Sequence, residues 1–229
     1  MHIQVVLFDG FDPLDAIAPY EVLYAGGSAT GGAVSVELVT AEGPREVVSG
    51  IEGLTLRAVG ALDLERADML LLPGAAGRVG EPGENPKQEV GVGERKQDEF
   101  IPVLLTRALT TDLPALLQQA MDDPDITVAT VCGGSLLLAM AGLLKGRHAT
   151  THHMGLDTLE AAGAHAVRAR IVDDGDLITG AGVTSGLDLG LYLLEREVGP
   201  RIAHAVEELF SHERRGTVWY AQGPTPTTL

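Results

Sequence analysis

The chain has 229 residues, 45% of them hydrophobic, and a formal net charge of −16 from 32 acidic and 16 basic side chains. That length and apolar content suit one well-buried core, while the acidic balance excludes the basic face a nucleic-acid partner requires. A single cysteine excludes an internal disulfide and a cysteine-based zinc knuckle, and no apolar run is long enough to span a bilayer.

Taken in order, short β-branched runs alternate with helical patterns. A strand is expected at 3–8, close enough to Met1 to leave no basic leader, so a cytoplasmic location is expected. A helix follows around 19–25, then strands at 34–40, 54–58 and 68–72, a helix at 113–122, a strand at 126–131 and a helix at 133–144. A short strand at 147–151, a helix at 155–162, strands at 167–173 and 176–179, and helices at 185–198 and 200–210 complete the series. Such alternation predicts an α/β fold with a mostly parallel central sheet and helices on both faces. Asp174-Gly175 is a hairpin signal. Lys145-Gly146 is expected to close the helix begun at 133, and Leu187, Leu191, Leu194 and Val198 give a later helix its apolar face. Residues 1–222 are expected to form one domain. Within it, 77–103 reads as an insertion, because Gly77 to Phe100 mixes glycines, prolines and charges without periodicity. The Pro- and Thr-rich stretch 223–229 is expected to be a disordered tail.

The chemistry gathers around residues 126–144. A buried strand ending in Cys132-Gly133-Gly134 and running into an apolar helix has the pattern of a nucleophile elbow. A side chain at Gly133 or Gly134 would obstruct the close approach of strand and helix. The new helix aims free N–H groups at the sulfur, so a thiolate at neutral pH is expected. An inert buried thiol is the competing reading of a lone cysteine. Its position at the carboxyl end of a strand, where open α/β sheets bind ligands, favours chemistry.

Asp12-Pro13-Leu14-Asp15 could open a helix with Asp12 as its cap and Pro13 in the first turn. In a continuous helix, however, the Pro19 ring would clash with the Asp15 carbonyl. The helix is therefore expected to start at Pro19, leaving Asp15 in a loop on the same rim as Cys132, as a candidate acid. Backbone N–H groups of Gly74, Ala75 and Gly133 could form an oxyanion-type pocket, or Pro73-Gly74-Ala75 could be an ordinary turn. His152 could serve the thiol as a base. Gly134, His153, Thr184 and Ser185 are candidates for the substrate pocket. His212-Glu213 could complete a Cys-His-Glu triad, but reads better as a solvated helix end. Metal-ligand spacing, a P-loop and a dinucleotide fingerprint are all missing, so neither metal nor cofactor is expected.

Six blocks in order resemble the ThiJ/PfpI superfamily, the class-I glutamine-amidotransferase-like proteins. They are Leu14-Asp15 with Pro19, Leu72-Pro73-Gly74, Val131-Cys132-Gly133-Gly134-Ser135, Ala141 to Arg147, Ala149-Thr150-Thr151-His152, and Gly182 to Asp188. The resemblance implies a flavodoxin-like three-layer sandwich, a homodimer, Cys132 as nucleophile and Asp15 as its acidic partner. Within the superfamily the chain is most similar to isonitrile hydratases and to the N-terminal sensory domains of AraC-type regulators. A hydratase resemblance implies attack of Cys132 on an isonitrile carbon, a proton from Asp15, and release of an N-substituted formamide by water. Three positions depart from the hydratase pattern: Gly133 replaces a threonine, Ala75 a glycine and His153 an aromatic residue. The expected partner is a small-molecule substrate, with neither nucleic acid nor membrane. A non-catalytic redox or ligand sensor, an amidase or protease, and a glyoxalase-like enzyme are the alternatives.

Overall fold

The computed structural model describes residues 1–80, 100–224 and 227. From the N-terminus run β1 (His2–Val6), α1 (Pro13–Ala29), β2 (Ser35–Thr40), β3 (Arg45–Val48), β4 (Thr55–Ala58), β5 (Gly60–Ala61) and β6 (Met69–Leu72). Next come α2 (Ile101–Ala108), α3 (Leu113–Asp122), β7 (Thr127–Val131), α4 (Gly134–Met140), β8 (His148–Ala149), α5 (Leu156–Ala161) and β9 (His165–Ala166). The series ends with β10 (Ile171–Asp173), β11 (Leu177–Gly180), α6 (Ser185–Val198), α7 (Pro200–Phe210) and β12 (Trp219–Tyr220).

Eight strands form one sheet in the order β12-β10-β11-β7-β6-β1-β2-β5. Every pairing in it is parallel except β10 with β11, the hairpin that turns through Asp174-Gly175. Parallel strands covered on both faces must be apolar throughout, and β6 and β11 are buried along their whole length. Helices α1, α6 and α7 pack together on one face, while α2, α4 and α5 contact one another in series on the other, where α3 meets β7. The result is the mostly parallel, three-layer α/β sandwich expected.

Four local expectations need correction. First, α1 starts at Pro13 rather than Pro19, with Asp12 as its N-cap accepting from Leu14 N–H at 3.0 Å. Pro19 sits inside the helix, where it removes one hydrogen bond. Close packing against α6 accommodates it: a Cβ on Gly186 would stand 2.9 Å from Pro19 Cδ, and one on Gly190 2.9 Å from Val22 Cβ. Second, α4 ends at Met140, because Gly142 takes a left-handed φ of 80° just beyond its cap, well before Lys145-Gly146. Third, the 54–58 strand pairs with β3 as a separate hairpin outside the main sheet. Fourth, a helix that the sequence pattern does not announce, α2, begins at Ile101. The insertion's two ends meet, with Ile101 N–H donating to Arg78 C=O at 2.9 Å and Arg78 bridged to Phe100. The rest of that insertion, 81–99, and most of the expected tail lie outside the described residues. Among the described residues no helix is long and apolar enough to cross a membrane.

Candidate active site

Three neighbouring parallel strands, β1, β6 and β7, deliver the site. Their carboxyl ends lead into Asp15, Gly74 and Cys132 respectively. Because β6 lies between the other two in the sheet, the Pro73-Gly74 turn is held between Asp15 and Cys132. The Gly74 N–H donates to Asp15 Oδ2 at 3.0 Å. A Cβ on Gly74 would come within 2.6 Å of Gly133 N and 2.9 Å of Asp15 Oδ2. Only glycine permits this three-way closure.

The elbow itself is strained. Cys132 has φ of 54°, one of two left-handed non-glycine residues described, a conformation that costs energy and recurs at functional sites. Surrounding groups hold it there. Cys132 N–H donates to Gly180 C=O at 3.0 Å. Its own carbonyl accepts from Thr151 Oγ1 at 2.8 Å and Ser135 Oγ at 3.3 Å. Gly134 passes under the end of β6, where a Cβ would lie 2.3 Å from Leu72 O. Gly133 is different, and here the expectation of obstruction is corrected. A Cβ there would meet Gly74 Cα at 3.5 Å and Ala75 N at 3.8 Å, which are ordinary contacts.

Asp15 lies in the first turn of α1, with no solvent exposure, and is not a loop residue. Its carboxyl nonetheless lies close enough to the sulfur for each group to shift the other's proton affinity. Burial, then the nearby Asp12 charge, push its pKa up to about 8, against the opposing bonds from Gly74 and Cys132. Oδ1 has no partner of hydrogen-bonding geometry, which suits a carboxyl that carries a proton. The Cys132 thiol is also pushed up, chiefly by burial and then by the Asp15 charge; the Gly133 N–H opposes this but does not prevail. The expected neutral-pH thiolate is therefore corrected. The helix behind the sulfur has only seven residues, and desolvation outweighs its pull. Cys132 keeps 9% exposure, so the sulfur's residue opens to solvent while its acid does not.

The remaining candidates fall into two groups. Ala75 N–H lies beside Gly133 and makes no hydrogen bond among the described residues, whereas Gly74 N–H is committed to Asp15. His152 caps a short 3₁₀ turn, its Nδ1 accepting from Met154 N–H at 3.4 Å, and packs at a tilt against His153 with ring centroids 4.2 Å apart. Its pKa lies below the usual value because of partial burial and the His153 charge; it makes no hydrogen bond with Cys132. Thr184 is exposed and held by Arg170, while Ser185 is buried with its hydroxyl unpartnered. His212 binds Asp188 at 3.4 Å in a separate cleft of roughly 890 Å³, so the Cys-His-Glu reading has no geometric support. Thr151, Ser135 and Gly180 hold the elbow, a role that sequence reasoning assigns to none of them, although Ser135 and Thr151 stand in two of the blocks that carry the family resemblance. Among the described residues no cluster of three or more His, Cys, Asp or Glu could hold a metal.

A doubly covered parallel sheet with a strained cysteine at its carboxyl rim defines the nucleophile-elbow class of α/β proteins. Comparison with known proteins narrows this. The DJ-1/PfpI family model matches residues 107–196. An isonitrile hydratase from Pseudomonas putida is 33% identical over 208 residues, covering 90% of this chain and 76% of that protein. The chain belongs to the DJ-1/PfpI family. The HTH-type transcriptional regulator CdhR of Pseudomonas aeruginosa is 38% identical over 108 residues, 45% of this chain and 31% of the regulator. The crystal structure of a ThiJ/PfpI family protein from Pseudomonas syringae superposes with a TM-score of 0.68 at 26% identity, covering 94% of this chain and 76% of that one.

Two outcomes follow from this geometry. Gly133→Thr leaves the melting temperature within a few degrees of wild type, whereas Gly134→Ala lowers it clearly, by roughly 1–3 kcal/mol of stability; scanning calorimetry of both reads the difference. Iodoacetamide labelling of Cys132, followed by intact mass, climbs about tenfold per pH unit between pH 7 and 9, as the thiolate fraction of a raised-pKa thiol must. A rate that levels off below pH 8 contradicts the raised thiol.

Proposed function

We propose that the protein hydrates small isonitriles through a covalent Cys132 thioimidate, with Asp15 as the proton donor. What carries the reading is the fully buried Asp15 carboxyl, its pKa raised by burial, beside the nucleophile. The similarity to an isonitrile hydratase over most of both chains supports it. An isonitrile carbon carries a lone pair and must gain a proton as it accepts a nucleophile. Asp15 gives its proton to that carbon while the sulfur forms the C–S bond, and the resulting carboxylate takes the thiol proton. Net addition of S–H across the carbon yields R–N=CH–S–Cys132. No free thiolate need exist beforehand, so the raised thiol pKa is no obstacle. Water then adds to the thioimidate carbon. The C–S bond breaks, the sulfur regains its proton through Asp15, and R–NH–CHO leaves. Ala75 N–H is the donor available to the substrate during these steps.

The raised thiol also weighs against the redox-sensor alternative, which needs an exposed, readily ionised sulfur. A homodimer belongs to the same reading; exposed Tyr24 and Leu209, at 62% and 71%, supply apolar surface for it.

Formamide production from a simple alkyl isonitrile tests the proposal. Wild type forms the product, Cys132→Ala forms none, and Asp15→Asn loses about a hundredfold or more. The acid is active only while protonated, so kcat falls as pH rises through about 8. Equal turnover by Cys132→Ala overturns the proposal.

A further inference from the structure

Beside the elbow lies a second cleft of roughly 360 Å³ whose charge differs from that of the rest of the molecule. The chain carries twice as many acidic as basic side chains, yet none of the nine residues lining this cleft is acidic, and three are Arg168, Arg170 and His153. Its wall touches the backbone of the elbow. Thr151 in that wall donates to the Cys132 carbonyl at 2.8 Å. A Cβ on Gly182, also in the wall, would stand 3.6 Å from His152 Cδ2. The two arginines are not equivalent. Arg170 is neutralised by buried Asp188, its Nε donating at 2.7 Å, and its Nη2 also donates to Thr184 C=O at 2.9 Å. Arg168 is exposed and makes no ion pair or hydrogen bond through its side chain among the described residues. The cleft's threonine hydroxyls both donate to backbone carbonyls, which leaves Arg168 as the principal donor facing a ligand.

We propose that this cleft binds a carboxylate carried by the substrate that reacts at Cys132, and that Arg168 selects for it. The proposal rests on the hydration reading and names its substrate class: small isonitriles bearing a carboxylate. A guanidinium presents paired N–H donors that match a carboxylate's two oxygens. In a molecule of net charge −16 a small anion is repelled at long range. A local unpaired cation is then what brings an anionic substrate to the site.

Isocyanoacetate and its methyl ester, nearly equal in size and differing in charge, form the test pair. Wild type prefers the anion. Arg168→Gln raises KM for isocyanoacetate about tenfold, leaves kcat and the ester unchanged, and Arg168→Lys restores part of the loss. Substitution effects that are equal for both substrates, or absent for both, overturn the proposal. Binding is read separately in Cys132→Ser, where no turnover intervenes, by backbone amide shifts of Arg168 and Gly182 during titration with isocyanoacetate. Saturable shifts that vanish in Cys132→Ser/Arg168→Gln, without formamide from wild type, uphold the anion site and sink the hydration reading. Formamide from both compounds with no dependence on Arg168 does the reverse.

Discussion

A carboxyl group that water cannot reach, pressed against a thiol, is the constraint on which the rest of the structure depends. An ionised carboxylate in that position would lack the solvation it has in water, and the single backbone N–H from Gly74 is too little to replace it. Asp15 therefore keeps its proton to about pH 8. The sheet order makes this possible, because β6 between β1 and β7 lets one turn touch both partners. Closure also demands glycine where that turn passes between Asp15 and the elbow, since any Cβ on Gly74 would occupy the space of Gly133 N.

The strain at Cys132 is offset by the same surroundings. A non-glycine residue at φ 54° persists only where its neighbours over-determine it. Here the amide is held by β11, and the carbonyl by Thr151, after β8, and Ser135, in α4. The elbow is thus fixed by the neighbouring strand β11 and by α4 with the turn after β8. A buried thiol and a buried carboxyl share their protons as a pair. Such a pair suits a reaction in which one proton is delivered to carbon as another is recovered from sulfur. It suits poorly any chemistry that begins with a free thiolate.

Much of this was legible in the residues. The alternation of apolar runs predicts the mostly parallel sheet, and Ile126 to Gly134 mark the elbow. Asp15 lies on the expected rim, but in the first turn of a helix rather than in a loop. Pro19 signalled a break in α1, but the glycines at 186 and 190 let α6 press against the proline and keep the helix continuous. Tertiary packing overrode a local rule. The thiol's proton affinity is not legible in the sequence, which displays the helix that would lower it and hides the burial that raises it. The difference between Gly133 and Gly134 was likewise invisible, since it depends on which neighbour each faces. Arg168 was overlooked because an unpaired cation is recognised only when its would-be partners can be located.

The protonation state of one carboxyl decides the account. Asp15 can be observed directly by carbon NMR of protein labelled at the aspartate side-chain carboxyl, assigned by comparison with Asp15→Asn and titrated from pH 5 to pH 10. The account predicts a resonance that stays at its protonated position through neutral pH and moves with a midpoint near 8. A carboxyl already ionised at pH 6 would contradict it.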